Sequence, residues 1–384
     1  MVTADGGSTW YGYEEFSNNE ETPNTAGTLW SWGRNTYGDL GLNNRTNYSS
    51  PVQIPGTTWD NVSLQKLTGF GHKSDGTLWA WGYNGGMLGQ NNTINYSSPV
   101  QLPGTNWSQN IDGLKSQSYD SAAVKTDGTL WSWGDNNYGN LGQNNETVYS
   151  SPIQVGSDTT WGYKKGKFTA RMAGYAAIKT DGTLWNWGQN IYGDLGQNEG
   201  PGGGNEAYSS PVQVPGTTWD KVYGMAGATY GIKTDGTLWA WGHGSSGKLA
   251  QNNTVQYSSP VQIPGTDWAS SGKLNHGSAA AFFKTDGTLW VWGNNSYGAL
   301  GLNSTVQYSS PVQLPGTTWR SVSSGVFTMG ATKTDGTLWS WGYQDYMGHL
   351  GHNNRTNYSS PVQIPGTWNL DSIGRYNSMA IRSL

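Results

Sequence analysis

The sequence predicts an all-β fold: a seven-bladed β-propeller with four-stranded blades and terminal-strand ring closure. Three observations predict it. The segment Gly-Thr-Leu-Trp-x-Trp-Gly recurs seven times, its first Trp being Trp30, Trp79, Trp131, Trp185, Trp239, Trp290 and Trp339, at steps of 49 to 54 residues. Two more markers keep the same step: Tyr-Ser-Ser-Pro, beginning at Tyr48, Tyr96, Tyr149, Tyr208, Tyr257, Tyr308 and Tyr358, and a following Trp at Trp59, Trp107, Trp161, Trp219, Trp268, Trp319 and Trp368. Helical apolar spacing is missing, and each unit alternates short β-prone runs with turn residues, the pattern of a propeller blade. A β-solenoid is the structural alternative, but its rungs are shorter and it needs distinct capping repeats.

The unit from Trp219 to Pro264 gives the elements in order. Trp219–Gly224 starts a strand and Tyr230–Ile232 a second. Lys233-Thr-Asp-Gly236 holds an Asp-Gly hairpin turn, and Thr237–Trp241 returns with Thr237, Trp239 and Trp241 on one face. Tyr257–Ile263 is the last strand, placed at a sheet edge because Pro260 has no N–H to give a ladder. Pro264-Gly265 turns the chain into the next unit. The repeated aspartates, Asp75, Asp127, Asp181, Asp235, Asp286 and Asp335, read as turn formers. The Trp pairs read as packing within and between blades.

The last unit stops where its hairpin turn is due, and Gly27–Gly33 supplies the missing returning strand. One blade is therefore expected to be shared between the two ends, which removes open sheet edges. The domain organisation that follows is a single propeller over 27–384, preceded by an N-terminal arm over 1–26. Trp10 stands as far before Gly27 as Trp59 does before Gly76, yet Glu14, Glu15, Glu20, Glu21 and Pro23 suit a sheet interior poorly. The arm is expected to tether the chain to a partner.

Composition narrows the function. Charged residues are 12% of the chain and the net charge is −4, with Lys164, Lys165 and Lys167 as the densest basic run. Nucleic-acid binders carry a far more basic stripe, so no nucleic-acid partner is expected. Cysteine is absent, which removes disulfides, thiol catalysis and Cys-ligated zinc. The start lacks the basic and apolar regions of a signal peptide, and no apolar run is long enough for membrane insertion.

Candidate chemistry is sparse. His72, His243, His276, His349 and His352 fall at unrelated positions in their units and read as surface residues, so no metal site is expected. The turn aspartates repeat without an asymmetric pair of the kind acid–base catalysis uses. No phosphate loop is present. The chain is expected to be no enzyme, to need no cofactor and to hold no catalytic residue. Positions that change between units are least constrained by folding. The loop before the Asp-Gly hairpin changes most, and Tyr119, Asp120, Tyr175, Tyr230, His276, Phe327, Arg375 and Tyr376 are its candidate binding residues, since Tyr combines contact area with a hydroxyl. A long, glycine-rich loop over 198–207 is a second irregularity.

Lys125-Thr-Asp-Gly-Thr-Leu-Trp-Ser-Trp-Gly134, followed by Tyr138-Gly-Asn-Leu-Gly142, resembles the repeat of the regulator of chromosome condensation family, and the likeness runs over about 27–384. The resemblance implies a seven-bladed propeller. It implies no single function, since family members include an exchange factor for a small GTPase, large ubiquitin ligases and a bacterial inhibitor of β-lactamase. The His that often precedes the family's Asp-Gly turn is replaced here by Thr68, Asp120, Gly174, Ala228, Ala279 and Thr328, so exchange activity is not carried over. The uniform units rich in Asn, Tyr and Trp look like bacterial and phage versions. The expectation is therefore a non-enzymatic virion or cell-surface structural or binding protein. One disc face would meet a surface protein or glycan, and residues 1–24 would meet other structural proteins of an assembly. Its expected place is the virion, with the bacterial cell surface or the extracellular space as alternatives. The competing expectation is an intracellular protein-interaction regulator such as a GTPase nucleotide exchange factor. A propeller hydrolase or lyase is a third class, which would need carboxylates or His converging on the central channel.

Overall fold

The computed structural model describes residues 27–65, 67–111, 114, 119–199, 207–271, 273–274, 279–344, 349–368, 370–373 and 377–383. The expected arm over 1–26 lies outside the described residues, as do His276, Arg375, Tyr376 and most of the glycine-rich loop.

The described chain is all-β. It opens with β1 (Gly27–Gly33), β2 (Tyr48–Gln65), β3 (Thr68–Lys73), β4 (Leu78–Gly82) and β5 (Tyr96–Gln101), then β6 (Asp120–Val124), β7 (Leu130–Gly134) and β8 (Tyr149–Gln154). Next come β9 (Phe168–Ala170), β10 (Gly174–Ile178), β11 (Leu184–Gln189) and β12 (Ala207–Gln213), followed by β13 (Trp219–Met225), β14 (Ala228–Lys233), β15 (Leu238–Gly242) and β16 (Tyr257–Ile263). Then follow β17 (Trp268–Ser271), β18 (Lys273–Leu274), β19 (Ala279–Lys284), β20 (Leu289–Gly293), β21 (Tyr308–Gln313) and β22 (Trp319–Ser324). The chain finishes with β23 (Thr328–Lys333), β24 (Thr337–Gly342), β25 (Tyr358–Thr367), β26 (Leu370–Ile373) and β27 (Asn377–Ser383).

Hydrogen bonds group the described strands into six sheets of seven, four, four, four, five and three strands. This corrects the expectation of seven four-stranded blades. The main cause is β2, which runs unbroken for 18 residues. It pairs with β1 through Ile54, bulges over the Pro-Gly turn, meets Gly27 at Trp59, and from Trp59 onward pairs with β3. A bulged strand can leave one ladder and enter the next without ending, so β26-β27-β1-β2-β3-β4-β5 is a single sheet. The expected separate blade closed by the terminal strands is corrected with it: β27 lies antiparallel to β1 from Gly27↔Ser383 to Gly33↔Asn377, inside that larger sheet. The five-stranded sheet gains β18, which runs parallel to β22. Beside the three-stranded sheet the described residues give an isolated bridge, Trp107↔Lys125, where a first strand would pair.

The two Trp of each motif have different environments. The second, Trp32, Trp81, Trp133, Trp187, Trp241, Trp292 and Trp341, is 0% exposed. Its Nε1–H donates to a carbonyl in the preceding repeat: Trp81 to Asp39, Trp133 to Met87, Trp187 to Asn140, Trp241 to Asp194, Trp292 to Lys248 and Trp341 to Ala299. Trp32 completes the series by donating to the carbonyl of His349, 317 residues away, at 3.0 Å. A buried indole N–H needs an acceptor, so each Trp joins neighbouring repeats by apolar burial and by a directed bond at once. The first Trp is only half-buried but packs against the buried core, as Trp79 does on Trp59 at 6.3 Å. Trp239 donates to Thr237 Oγ1 at 2.9 Å, Thr237 donates to Asp235 Oδ1 at 2.7 Å, and Lys233 Nζ lies 4.5 Å from the Trp239 ring centre. The motif Lys-Thr-Asp-Gly-Thr-Leu-Trp thus builds its own polar relay, with the lysine over the indole as a cation–π contact.

Candidate interaction face

The glycine ending each motif closes a strand, and the residue after it is held by a backbone bond to the residue before the second strand of its own repeat. Tyr83 N donates to Leu67 O at 3.0 Å, Asp135 N to Tyr119 O at 3.0 Å, His243 N to Gly227 O at 2.7 Å and Tyr343 N to Phe327 O at 2.9 Å. The Tyr of Tyr-Gly-x-Leu-Gly reaches the same end of the sheets from the preceding repeat. Its glycine allows the approach, because a Cβ on Gly38 would sit 2.4 Å from the Cα of Ser97 in the next repeat's Tyr-Ser-Ser-Pro strand.

Aromatic rings therefore meet across repeat boundaries on this face. Tyr37 packs on Tyr83 at 5.2 Å, and Tyr83 on Tyr119 at 5.6 Å, so one run covers three consecutive repeats. Tyr297 packs on Phe327 at 5.2 Å and on Tyr343 at 4.8 Å. Tyr192 stacks on His243 at 4.3 Å with the planes 26° apart. Tyr37, Tyr83, Tyr119, Phe327 and Tyr343 are half-buried, while Tyr138 and Tyr297 are 44% and 40% exposed.

Beneath the Tyr192–His243 stack lies a charged cluster. The Arg171 guanidinium donates to Asp194 and, at 2.7 Å, to the Trp187 carbonyl. Lys248 Nζ donates to Ala226 O at 2.6 Å. Burial pushes Lys248 down to about 8, with Asp194 opposing the shift. His243 is also lowered, first by burial and then by the Lys248 charge. Asp194 and Lys248 share one sequence position, the x of Gly-x-Leu. Around the repeats that position holds Asp39, Met87, Asn140, Asp194, Lys248, Ala299 and His349, all buried. Burial pushes the Asp39 carboxyl up to about 6.

The eight residues expected from sequence divide. Tyr119 and Phe327 lie on the aromatic face. Asp120, Tyr175 and Tyr230 are strand residues with 0% exposure, which corrects their placement in a loop open to a partner. Tyr175 is packed between Phe168 and Trp187 at 5.6 and 5.8 Å, and the Tyr230 hydroxyl donates to the Lys248 carbonyl. His276, Arg375 and Tyr376 lie outside the described residues. Of the missed members, Tyr83 and Tyr343 directly follow the closing Trp-Gly, where variation between units was their signal, while Tyr37 and Tyr297 belong to the recurring Tyr-Gly-x-Leu-Gly and gave none. The surface reading of the histidines is corrected at His72 and His349, 3% and 0% exposed. His72 joins Asp60 at 2.6 Å and the Trp107 carbonyl at 2.9 Å, a tie between repeats.

Among the described residues no three His, Cys, Asp or Glu are grouped to hold a metal, and the buried His72–Asp60 pair ends on the Trp107 carbonyl. No helix among them is long and apolar enough to cross a membrane.

The strand order and the recurring motif define a repeat-built β-propeller. The pattern of the regulator of chromosome condensation (RCC1) repeat matches residues 26–63, 127–166, 235–270, 286–330 and 335–381. These segments exceed half of the chain, and it belongs to that family. It is 26% identical over 308 residues to the human E3 ubiquitin-protein ligase HERC2, covering 77% of this chain and 6% of HERC2. It is 26% identical over 291 residues to the Arabidopsis thaliana ultraviolet-B receptor UVR8, covering 74% of this chain and 64% of UVR8. The chain thus spans less than two thirds of the length of these relatives. Among solved structures, Prp20p from Saccharomyces cerevisiae aligns with a TM-score of 0.80 and 15% identity over 97% of this chain and 94% of Prp20p.

These relatives are human, plant and yeast proteins, which corrects the bacterial or phage version of the family expected from repeat style. The virion and cell-surface role, the structural-assembly and glycan partners, and the virion, bacterial-surface or extracellular location are corrected with it. Uniform repeats report recent duplication or strong fold constraint and carry no mark of the particle or cell that uses them.

Proposed function

We propose that the chain is a non-enzymatic protein-interaction regulator that docks a folded protein partner on its aromatic face. The observation that carries this reading is the contiguous run Tyr37–Tyr83–Tyr119 across three repeats. Half-buried tyrosines present large, rigid contact area with a hydroxyl and lose little freedom on binding. Tyr83 and Tyr119 sit at strand ends fixed by backbone bonds, and Tyr37 is held in its turn by its N–H to Asp39 Oδ1, so the surface is preorganised. The likeness to Prp20p, described by its binding to Gsp1p and histones, supports a protein partner, and the specific form tested is the alternative raised by the family resemblance, a nucleotide exchange factor for a small GTPase.

The test is retention of nucleotide-free Gsp1p by the immobilised chain, alongside release of a fluorescent GDP from Gsp1p. Retention with faster release is expected, and Tyr83→Ala should weaken both by about tenfold or more, as loss of a central aromatic anchor does. A chain that neither retains Gsp1p nor changes the release rate overturns the reading.

A further inference from the structure

The turn between the fourth strand of one repeat and the first of the next is Pro-Gly in six places: Pro55-Gly56, Pro103-Gly104, Pro215-Gly216, Pro264-Gly265, Pro315-Gly316 and Pro365-Gly366. The turn lies on the ring edge of the following Trp. Its prolyl carbonyl accepts the indole N–H from Trp59, Trp268, Trp319 and Trp368, at 3.1–3.3 Å. At Trp107 and Trp219 that bond is not made, but the turn still covers the ring: a Cβ on Gly104 or Gly216 would lie 4.0 or 3.9 Å from Nε1.

The seventh turn is different. Val155-Gly-Ser-Asp-Thr-Thr-Trp161 contains no proline and is longer than each of its counterparts, by one residue in all but the last unit. A Cβ on Gly156, which stands where the other repeats have proline, would meet nothing within 4 Å. Trp161 is 3% exposed, and its Nε1–H has no acceptor. An orphaned buried N–H is costly and rare. At this place there is a cavity of about 410 Å³, lined by Trp161, Trp185, Val155, Gly156, Gln143 and Pro211 among others. Lys179 Nζ lies 4.8 and 4.3 Å from the Trp161 and Trp185 ring centres. It is neutralised by Asp158 at 2.5 Å. Burial pushes Asp158 up, but the bonds from Lys179 and Thr160 outweigh it and hold the carboxylate at about 2. The cavity thus sets the Trp161 indole donor beside aromatic and apolar walls, with Gln143, Asn144 and Ser210 at its edge and the Lys179 charge paired with Asp158.

We infer that this cavity is a binding site for a proline-containing segment of another polypeptide. The prolyl ring packs on the Trp161 and Trp185 indoles, and the prolyl carbonyl accepts the Trp161 N–H. The occupant's chemistry is shown by the other repeats, where a prolyl-glycyl unit fills the same place from within the chain. Proline suits the role because an extended prolyl segment is already ordered and its ring packs on aromatic side chains. The site goes beyond the proposed partner face. Trp185 stands beside the Asp181–Gly182 turn, at the opposite end of β11 from the aromatic face, and the inference holds whether or not that face binds a GTPase.

The probe is acetyl-Gln-Ile-Pro-Gly-Thr-amide, the sequence of residues 53–57, titrated to about 10 mM into the full chain labelled with 15N at its indoles, a range that reaches weak single-motif binding. A saturable downfield shift of the Trp161 indole N–H is expected, identified by its absence in Trp161→Phe. The peptide with alanine for proline should bind about tenfold more weakly. A variant with residues 156–160 replaced by Pro-Gly-Thr-Thr, which restores the common turn, should keep its other indole resonances and show no binding. The inference is overturned by no shift at the highest peptide concentration, by equal binding of the alanine peptide, or by binding that survives in the restored-turn variant.

Discussion

Asp39 and Asn140 occupy the same position in two repeats, and both are buried. Asn140 satisfies itself by donating from Nδ2 to the Asp135 carbonyl at 2.8 Å, whereas burial pushes Asp39 up to about 6. A carboxyl raised in the folded state binds more protons there than in the unfolded chain, so stability falls as pH rises from about 4 to about 6 and stays lower above that. Asp39→Asn copies the neighbouring solution. It should flatten this slope and add about 2–3 kcal/mol above pH 6, at roughly 1.4 kcal/mol per pK unit. Urea denaturation at pH 4, 5, 6 and 7 measures it, and an unchanged slope means that Asp39 is not the group responsible. The two Trp of one motif give a second comparison. Trp241→Ala empties a fully buried site and removes the N–H donated to Asp194, and should cost about 3–5 kcal/mol. Trp239→Ala strips a half-buried ring covered by Lys233 and should cost less than half as much. Denaturation midpoints of the two variants decide this, and equal losses refute the distinction.

At the scale of the element, the Lys-Thr-Asp-Gly-Thr hairpins look interchangeable in sequence but have different neighbours. Gly182 and Gly236 have φ of +79° and +77°, a left-handed conformation that costs an L side chain about 1–2 kcal/mol. A Cβ on Gly182 would clear its surroundings by 3.4 Å, while one on Gly236 would sit 2.3 Å from the Thr266 carbonyl oxygen. Gly182→Ala should therefore cost only the conformational strain, and Gly236→Ala clearly more, read as the difference between their thermal midpoints. These turns, and the strands they join, were legible because Asp-Gly between β-prone runs is a local signal. The bulge that keeps β2 continuous was not legible, since Gln53-Ile-Pro-Gly-Thr57 reads as a turn here as it does in other repeats. The burial of Tyr175 and Tyr230 was hidden for another reason. β10 and β14 are buried on both faces, through Gly174–Ile178 and Ala228–Ile232, and such a strand shows no alternation by which an aromatic residue can be assigned to the inside. The aromatic face was half visible, because Tyr119 and Phe327 stand at variable loop positions while their partners Tyr83 and Tyr297 come from other repeats, a proximity only the assembled sheets create.

At the scale of the molecule, the indole-to-carbonyl series links each repeat to the one before it, and the Trp32 bond to His349 links the chain's first described strand to its last repeat. Strand β27 adds seven register pairs with β1 and buries Met379, Ala380 and Ile381. Most neighbouring strands are joined by a short turn, but β1 and β27 meet only after the rest of the chain is in place. Contacts of such long range are made late because loop entropy must be overcome first, and they are where a local opening should begin. Trp32→Phe keeps an apolar ring but removes the N–H to His349, a loss of about 1 kcal/mol for one buried bond. Native-state hydrogen exchange should then show reduced protection for the amides of β1, β27 and Leu350–Gly351, with β14 and β15 unchanged, because local openings follow cooperative units of the structure. Trp133→Phe, which removes the equivalent bond to Met87 within a continuous stretch of chain, should instead lower protection around β4 and β7 and spare the termini. If both substitutions lower protection evenly over all the sheets, opening is global, and the terminal pairing is as cooperative as any other seam.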